Sequence, residues 1–537
     1  MDPLTTLPTE IVLRILEFAS PDSLAKLTRL NQAWHGFIDA DYADVIYAAK
    51  VEDDMSTGAA VRGGAEPADA FRAATSFAKY GHETASWKEA CRRRMQLARN
   101  WNAYRPTTTE SIIHVDAPEH FVWRFKPDFA RRLVISTSQA GGVFVTDMDT
   151  GAALWSLQGD GEVRGYAHLE YEPDTGTAVW DRFGNTLEVW RTDLAGLPRG
   201  QFRQVELLHH DAETRGFQLS YCTLCVVSTD GHGFVYNVPP GEEKPTLRTR
   251  LDIPHGAVGH LDQNERAVMY SMGAEGYHFY DKTTGESLGQ LRPHQVDPFK
   301  MYHVNHPTSP RSDFAMVRRE ILRLVPSDDQ DHAPFPPRTP QQDRLTPCRI
   351  IPGALRSGQP IPAAVHTPPI SDDEWGAGML DGNTMVGVSR GGRVVVCSDW
   401  ERALRSDADL AAVTSIIECE PSNGAEFDLG GWLSISETAG GKRVLFEIRN
   451  KIYILTLDAN AAITTEAPVL VATTSLPDLG VPVSFMGVYD DCIMSTFTMV
   501  RPTMEDSAGV DEHGEIIPTL RVTPTKIIRV LSFAPES

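Results

Sequence analysis

The sequence contains little cysteine, no long apolar run and no basic leader. Its seven cysteines are an odd number spread thinly through 537 residues. That pattern argues against a disulfide framework and predicts a reducing compartment, the cytosol or nucleus. No stretch reaches the roughly 18 uninterrupted apolar residues that a membrane-spanning helix needs. The first residues, Met1–Thr6, lack a basic segment followed by an apolar core, so we expect no secretory signal.

Positive charge is also scarce. Lysine and arginine together number 50, against 72 aspartate and glutamate residues, and the formal net charge is −22. Proteins that bind nucleic acids or membrane surfaces carry a basic electrostatic footprint, so we expect neither kind of partner. The acidity permits a basic protein partner but does not require one, because net charge also serves solubility.

The sequence lacks the local signatures of common enzymes. It has no Gly-x-Ser-x-Gly, His-Glu-x-x-His, Walker or Rossmann pattern in the required structural context. The pairs His209-His210 and His303-x-x-His306 lack further metal ligands at suitable spacing. We therefore expect no catalytic residue, no metal and no cofactor, although an enzyme site assembled from several distant segments would leave no local motif.

One Cys-x-x-Cys pair, Cys222 and Cys225, lies in the strand-like run Leu219–Val227. No second pair at zinc-finger spacing accompanies it, and no histidine set surrounds it. Both residues are predicted to be buried core cysteines, with a redox or metal role as the alternative.

The length of the chain predicts at least two domains, because a single hydrophobic core rarely grows beyond about 300 residues. The first fifty residues read as short helices. Pro8 suits the start of one helix, Ser20-Pro21 the start of a second, and Asn31 the start of a third. Helices this short cannot bury all their apolar faces against one another. The remaining face is available for another protein, or for the downstream part of the same chain.

The order and spacing of residues in these helices resemble the F-box motif. The matching residues are Leu7, Pro8, Glu10, Ile11, Ile15, Leu16, Leu24, Leu27, Leu30, Asn31 and Trp34. In the F-box family, the Leu-Pro start and the apolar residues after it contact the Skp adaptor of a cullin–RING ubiquitin ligase. The resemblance implies this role for Leu7, Pro8, Ile11, Ile15, Leu16, Leu27 and Trp34. For most of them, packing within the helices is an equal alternative to contact with the adaptor. For Leu7 and Pro8, contact with the adaptor is favoured, because they lie at the exposed entry to the helix.

Residues 51–105 are predicted to form a helical linker. Its first part, 52–68, is small, acidic and glycine-rich and is predicted to be flexible. Helices are predicted at Asp69–Tyr80 and Thr84–Trp101, and the second resembles the linker helix of F-box–WD proteins. One face of this second helix is predicted to be buried: Trp87, Cys91, Arg94, Leu97, Ala98 and Trp101. The basic run 92–94 is predicted to be a solvated face, and nucleic-acid binding is the less favoured alternative.

Residues 106–537 are predicted to form an all-β domain, because short β-rich runs alternate there with turn signals. The clearest unit comprises Phe121–Phe125, Leu133–Thr137, Val143–Asp147 and Ala153–Leu157. The turn Asp147–Gly151 recurs at 281–285, with Asp and Gly at positions that favour a hairpin. This turn is similar to the end of the third strand in WD40 repeats.

Eight such units are predicted: the clearest one, 163–207, 216–251, 258–291, 299–351 with an insertion, 376–419, 427–471 and 483–533. The resemblance implies a diverged β-propeller, with eight blades favoured and seven as the alternative because 299–351 is irregular. The strand-like Ser111–Val115 is predicted to complete the last blade by pairing with the C-terminal end of the chain.

Two segments are predicted to be loops. Residues 326–369 contain eleven prolines and several acidic residues and read as an insertion, and 502–518 interrupt the last unit. Some propellers of this family bind phosphorylated motifs through arginines. Arg131-Arg132 and Arg318-Arg319 are candidates for that role by residue type, with solvated surface charge as the favoured alternative.

The expected fold is therefore multidomain, α followed by all-β: an F-box at 1–50, a helical linker at 51–105 and a diverged propeller at 106–537. The resemblance implies a non-catalytic substrate-recognition subunit of a Skp–cullin–F-box ubiquitin ligase. Its implied partners are a Skp-type adaptor, a cullin held through that adaptor, and an unidentified protein substrate. The alternatives are a scaffold acting outside ubiquitination and a propeller enzyme with structural N-terminal helices.

Overall fold

The computed structural model describes most of the chain. The described residues are 2–54, 77–78, 85–116, 121–158, 163–183, 185–253, 260–295, 301–305, 345–352, 373–419, 432–448, 451–473, 483–505 and 519–534. They form a group of N-terminal helices followed by a series of antiparallel β-sheets.

The helices begin where the capping signals predict. Ser20 Oγ accepts a hydrogen bond from the backbone N–H of Ser23 at 3.2 Å, and Asn31 Oδ1 accepts one from Trp34 at 2.9 Å. The α-helices are α1 (Pro3–Thr6), α2 (Thr9–Glu17), α3 (Pro21–Leu27), α4 (Gln32–Gly36), α5 (Ala43–Asp54), α6 (Trp87–Trp101), α7 (Trp400–Ala403) and α8 (Asp407–Val413). A π-helical turn covers Phe37–Asp41, and a 3₁₀ turn covers Pro293–Gln295. The predicted helix Asp69–Tyr80 lies largely outside the described residues.

The first four β-units are four-stranded antiparallel meanders, each in simple sequence order. Unit 1 comprises β2 (Val122–Asp128), β3 (Leu133–Ser138), β4 (Val143–Asp147) and β5 (Ala153–Leu157). Unit 2 comprises β6 (Leu169–Glu172), β7 (Thr177–Arg182), β8 (Thr186–Arg191) and β9 (Arg203–His209). Unit 3 comprises β10 (Thr214–Ser220), β11 (Thr223–Ser228), β12 (His232–Asn237) and β13 (Thr246–Asp252). Unit 4 comprises β14 (Leu261–Gln263), β15 (Ala267–Ser271), β16 (Tyr277–Asp281) and β17 (Ser287–Leu291).

Two further meanders belong to one ten-stranded sheet. Unit 5 comprises β20 (Trp375–Asp381), β21 (Thr384–Ser389), β22 (Arg393–Cys397) and β23 (Thr414–Glu418). Unit 6 comprises β24 (Leu433–Thr438), β25 (Gly441–Ile448), β26 (Lys451–Thr456) and β27 (Val469–Thr473). The hairpin of β18 (Met301–Asn305) and β19 (Leu345–Pro352) joins them, because β18 pairs with β23 and β19 pairs with β27.

Unit 7 contains strands from both ends of the chain. It comprises β1 (Thr109–Ile113), β30 (Thr519–Ser532), β29 (Cys492–Glu505) and β28 (Met486–Val488), in that spatial order. The pairing of β1 with β30 runs from Thr109 opposite Ser532 to Ile113 opposite Ile528. The predicted pairing of the two chain ends is therefore confirmed.

The large hydrophobic cores of the β-domain lie between successive units, and one small cluster, which contains Phe497, Met499 and Ile527, lies within unit 7. Units 1 and 2 share the core that contains Ile135 and Trp180, and the same arrangement continues through to units 6 and 7. Unit 7 then shares a core with unit 1, in which Phe125 packs with Met494 and Ile528. The first strands of successive units also contact one another. The β-domain is therefore propeller-like overall, with the first strand of units 1 to 6 and β28 of unit 7 nearest its centre.

The hairpin turns that carry Asp and Gly form as predicted. Asp147 Oδ1 accepts hydrogen bonds from the N–H groups of Asp149 and Thr150, at 3.0 and 2.8 Å. Gly151 follows in the left-handed region with φ +72°. Asp281 and Gly285 repeat this arrangement, with φ +78° at the glycine. Side-chain hydrogen bonding and glycine's tolerance of positive φ therefore fix both turns.

Several predictions about the β-region are wrong. Leu219–Val227 is not one strand, because a turn at Tyr221 and Cys222, both with φ above +50°, separates β10 from β11. Cys222 is consequently exposed, and only Cys225 is buried. The proline-rich segment 326–369 contains strand β19, and pairing of β29 with β30 reaches Glu505, inside the predicted loop 502–518. The described residues of the predicted unit 299–351 form only the joining hairpin.

Candidate protein-interaction surface

The N-terminal helices share a core with the start of α6. Val12 and Leu16 of α2, Leu24 of α3 and Trp34 of α4 are almost completely buried. They belong to a cluster that also contains residues of α5 and the first turn of α6. The side of α2 that carries Val12 and Leu16 is thereby covered by residues of this chain.

A second side of α2 is apolar and uncovered. Leu7, Ile11, Ile15 and Phe18 are 40%, 49%, 52% and 78% exposed. Ile11, Ile15 and Phe18, spaced by four and three residues, lie on one side of the helix, because 3.6 residues make one turn, and Leu7 lies just before its start. We call these four residues the α2 apolar surface. Scattered exposed apolar residues are normal, whereas a contiguous group of large ones marks an interaction site.

Charged residues border this surface. The guanidinium of Arg14 lies 5.2 Å from the centre of the Phe18 ring, and Arg14 also forms an ion pair with Glu17. Two further large apolar residues of the helical region are exposed, Leu30 at 66% and Val45 at 58%. An uncovered apolar centre with a polar rim is the usual composition of a protein-interaction surface.

The structure divides the seven residues predicted to contact an adaptor. Leu7, Pro8, Ile11 and Ile15 are exposed. Leu27 is half-buried against the helical core. Leu16 and Trp34 are 2% and 6% exposed, so their side chains support the fold of the helices and offer no surface to a partner.

Among the described residues, Phe18 is the most exposed large apolar residue. The sequence did not predict it as a contact residue. It follows the last residue of α2 and continues the spacing of Ile11 and Ile15. That helical spacing was visible in the sequence, but the motif comparison concentrated on the residues that match the F-box pattern.

Helix α6 connects the N-terminal helices to the β-domain. Its first half belongs to the helical core, and Leu97 and Trp101 in its second half pack with units 6 and 7. Trp101 stacks on Phe533 with 3.6 Å between ring centres and donates a hydrogen bond to the backbone oxygen of Asp490 at 2.9 Å. Asn102, just after the helix, donates to Gly440 O at 3.2 Å. The predicted buried face of this helix is confirmed.

The basic run 92–94 is not a single solvated face. Arg94 is 5% exposed, and its Nη1 lies 2.6 Å from both carboxylate oxygens of Asp490. Arg92 and Arg93 instead bind Glu89, one turn earlier, at 2.8 Å. Hydrogen bonds from Arg92 and then Arg93 lower the pKa of Glu89 to about 2, although partial burial acts in the opposite direction.

The arginines considered for phosphate recognition already have acidic partners. Arg131 forms ion pairs with Asp128, at 2.7 Å, and with Asp193. Arg132 binds Asp149 at 2.6 Å. These pairs make phosphate recognition by Arg131 and Arg132 less favourable, because a phosphate would have to displace carboxylates. Arg318 and Arg319 lie outside the described residues.

The histidine pairs have ordinary hydrogen-bond partners. His209 Nδ1 lies 3.0 Å from Thr186 Oγ1, and His210 Nε2 lies 3.2 Å from the Tyr236 hydroxyl. His303 pairs with Glu418 at 3.4 Å, and His306 lies outside the described residues. Across the described ranges, no group of three or more histidine, cysteine, aspartate or glutamate side chains is placed to hold a metal ion. In that same part of the chain, no helix is both long and apolar enough to cross a membrane.

Comparisons with known proteins leave the family open. No family model and no curated protein matches the chain. Among solved structures, the computationally designed protein Ika8 is 13% identical, with a TM-score of 0.40 over 72% of this chain and 96% of that chain. Sqt1 of Saccharomyces cerevisiae is 8% identical, with a TM-score of 0.40 over 81% of this chain and all of that chain. Similarities of this size carry no argument about function.

Proposed function

We propose that this chain is a non-catalytic substrate-recognition subunit of a Skp–cullin–F-box ubiquitin ligase. The α2 apolar surface binds a Skp-type adaptor, which connects the chain to a cullin, and the β-domain binds a protein substrate. The chain would act by holding the substrate near the ubiquitin-carrying enzyme, which raises the effective concentration of the reacting groups.

One observation carries the proposal. Leu7, Ile11 and Ile15, which the F-box resemblance assigns to the adaptor, are exposed: Ile11 and Ile15 lie one turn apart on α2, and Leu7 lies just before that helix. Residues that served only to attach the helices to the β-domain would be buried beneath it. Burying a large apolar side chain completely is worth about 1.5–3 kcal/mol, so covering the exposed half of each isoleucine would contribute about 1 kcal/mol.

The connection through α6 supports a receptor that holds its two binding surfaces in a defined relation. The buried Arg94–Asp490 pair and the stacked Trp101–Phe533 rings join the helices to unit 7. The contacts of Asn102 extend this junction to unit 6. A ligase subunit benefits from such a junction, because the distance between adaptor and substrate decides whether the ubiquitin-carrying enzyme can reach the substrate.

The proposal is tested by co-expressing the full chain with a Skp-type adaptor and a cullin and capturing the chain. The Ile11→Ser/Ile15→Ser variant loses about 2 kcal/mol of apolar burial at the interface. We expect adaptor affinity to fall about 30-fold, because each 1.4 kcal/mol is a factor of ten. The matched control is Leu247→Ser, an equally exposed apolar residue (43%) on β13 of the β-domain, which should bind the adaptor normally.

The outcomes separate the candidate functions. If wild type and Leu247→Ser capture adaptor and cullin together, and Ile11→Ser/Ile15→Ser captures neither efficiently, the result supports the ligase subunit. Adaptor without cullin points to a scaffold outside ubiquitination. If no adaptor is captured although the protein is folded, the ligase proposal is wrong and the helices serve the chain's own structure. A Leu7→Ala/Pro8→Ala variant tests the two residues before α2 in the same assay.

We also propose that the β-domain has seven blades, which are units 1 to 7. The eighth predicted unit, 299–351, contributes β18 and β19 to the outer edges of units 5 and 6. Each pair of neighbouring units shares a core, including units 7 and 1, which leaves no gap for another blade among the described strands. An electron-density or cryo-microscopy map that resolves eight radial sheets would refute this count.

A further inference from the structure

Residues at the beginnings of the first strands converge at the centre of the β-domain. The guanidinium of Arg124, in unit 1, lies 4.7 Å from the centre of the Trp432 ring, which precedes unit 6. The ring of His260, which precedes unit 4, lies 6.2 Å from the same tryptophan. These units are not neighbours in the ring, so contacts this short join them across its centre. We call Trp123, Arg124, His168, His260 and Trp432 the central cluster.

The central cluster lies opposite the N-terminal helices. Its members stand at or just before the beginnings of β2, β6, β14 and β24. Helix α6 instead contacts Gly440 and Asp490, which follow the ends of β24 and β28. The first strands all run the same way about the centre of the ring, so their beginnings and ends lie on opposite faces. A ligand at the cluster would therefore not compete with a partner on the α2 apolar surface.

Arg124 is a cation for which the described residues supply no paired anion. Among the described residues, no carboxylate forms an ion pair with it, and its Nε is buried without a hydrogen-bond acceptor. The nearest acids are engaged elsewhere: Glu170 with Lys126 at 2.8 Å, and Asp181 with Arg164 and the backbone N–H of His168. Burial lowers the pKa of Arg124, although Glu170 and Asp181 attract its charge from a distance. Arg124 is half-buried, and a charge withdrawn from water in this way carries a cost unless something pairs with it.

A second unsatisfied donor stands beside it. The indole Nε1 of Trp123 is buried without an acceptor among the described residues. A β-bulge between Val122 and Arg124 interrupts the pairing of β2 with β3 at this point. Bulges redirect side chains and are common next to binding sites. Adjacent residues with unused N–H groups indicate that an acceptor from outside the chain belongs here.

The titratable groups in and beside the cluster indicate the sign of the charge on that acceptor. Burial, and then the nearby charge of Arg124, lower the pKa values of His168 and His260, the latter to about 4, so both rings are neutral at pH 7. Lys526 lies 5.7 Å from the Trp123 ring, and burial lowers its pKa to about 8, while Glu447 attracts it. With a pKa of about 8, Lys526 stays mostly protonated at pH 7, so Arg124 and Lys526 together give the cluster a positive charge that suits an anion.

We propose that the central cluster is a binding site for a carboxylate, held by the guanidinium of Arg124 and flanked by Trp432 and Trp123. A guanidinium binds a carboxylate through two parallel hydrogen bonds, and the tryptophan faces suit an apolar segment next to it. The carboxylate can be a free small acid or the side chain of an aspartate or glutamate in a protein. The site does not depend on the proposed adaptor function.

The test measures binding to the full chain by isothermal titration at pH 7. The probes are succinate, an acetylated and amidated glutamate-rich hexapeptide, and inorganic phosphate. We expect a carboxylate probe to bind, and Arg124→Leu to weaken that binding at least about ten-fold. Arg402→Leu removes the same charge from an exposed arginine on α7 and should leave binding unchanged. Arg124→Lys should restore part of the affinity, because the ammonium keeps the charge but loses the planar fork.

A stability measurement separates binding from folding. If Arg124 is kept for a ligand, Arg124→Leu removes a half-buried charge that no described carboxylate pairs with, and the melting temperature should stay equal or rise. Binding of succinate but not the peptide identifies a free acid, and binding of the peptide identifies a protein side chain. Tighter binding of phosphate overturns the carboxylate assignment. Equal binding by wild type and Arg124→Leu, or no binding by any probe, overturns the site.

Discussion

The junction between α6 and the β-domain provides the sharpest test of how the two parts are joined. Arg94 and Asp490 are 5% and 7% exposed at their side chains, and both carboxylate oxygens lie 2.6 Å from Arg94 Nη1. Removing one partner of a buried ion pair typically costs about 3–5 kcal/mol, because the other charge stays buried and unmatched. We therefore expect Asp490→Ala to destabilise the docked state of α6 by about 3 kcal/mol.

Hydrogen exchange of the α6 amides measures this docked state directly. A loss of about 3 kcal/mol in local stability corresponds to exchange about 100-fold faster, since 1.4 kcal/mol is a factor of ten. In the double variant Arg94→Met/Asp490→Leu, neither charge remains, and apolar side chains fill the site. Exchange should then return to within about ten-fold of wild type.

Arg92→Met is the matched control, because Arg92 also forms an ion pair but is exposed. Exposed pairs contribute about 0–1 kcal/mol, so exchange should change less than about five-fold. The reasoning would be refuted if Asp490→Ala left α6 protected, or if the double variant were as labile as the single one.

Two further predictions concern the β-domain. Gly387→Ala should lower the free energy of unfolding in urea by about 1–3 kcal/mol, because a methyl group there would overlap the Tyr277 hydroxyl, whereas Gly36→Ala, in open space on α4, should not destabilise. Burial raises the pKa of Asp262 to about 7, against hydrogen bonds from Leu380 and Gln263. The native state thus holds a proton that the unfolded state releases near pH 4. The contribution of Asp262 to the free energy of unfolding should therefore fall as the pH rises from about 4 to 7. Asp262→Asn should remove this loss, so the melting temperature of the variant should gain on that of wild type as the pH rises from about 4 to 7. A constant difference between the two melting temperatures over that range would contradict the prediction.

Local signals in the sequence predicted local structure well. Ser20, Asn31 and the Asp147–Gly151 turn were identified because each is fixed by a side chain within a few residues. The turn at Tyr221 and Cys222 was missed because two-residue hairpins with positive φ usually carry Asn or Gly. The exposure of Leu7 also agreed with its position before the helix.

Long-range pairings were beyond the reach of sequence patterns. The basic run 92–94 looked solvated because the partner of Arg94 is Asp490, 396 residues later. The segment of the joining hairpin was predicted to be a blade, since β18 and β19 have strand character, but their remaining edges pair with β23 and β27 of other units. The central cluster gave no signal, because Arg124 and Trp432 meet only when the ring is complete. Such contacts depend on topology rather than on periodicity.

The position of β30 between β1 and β29 has a consequence for biosynthesis. During translation, β1 leaves the ribosome roughly 400 residues before its partner, a wait of roughly 20–80 s at about 5–20 residues per second. A nascent chain would expose the α2 apolar surface throughout that interval, so an adaptor or a chaperone could engage it before the ring exists. We expect a chain cut off after residue 518, which lacks β30, to keep the N-terminal helices but never to close the β-domain.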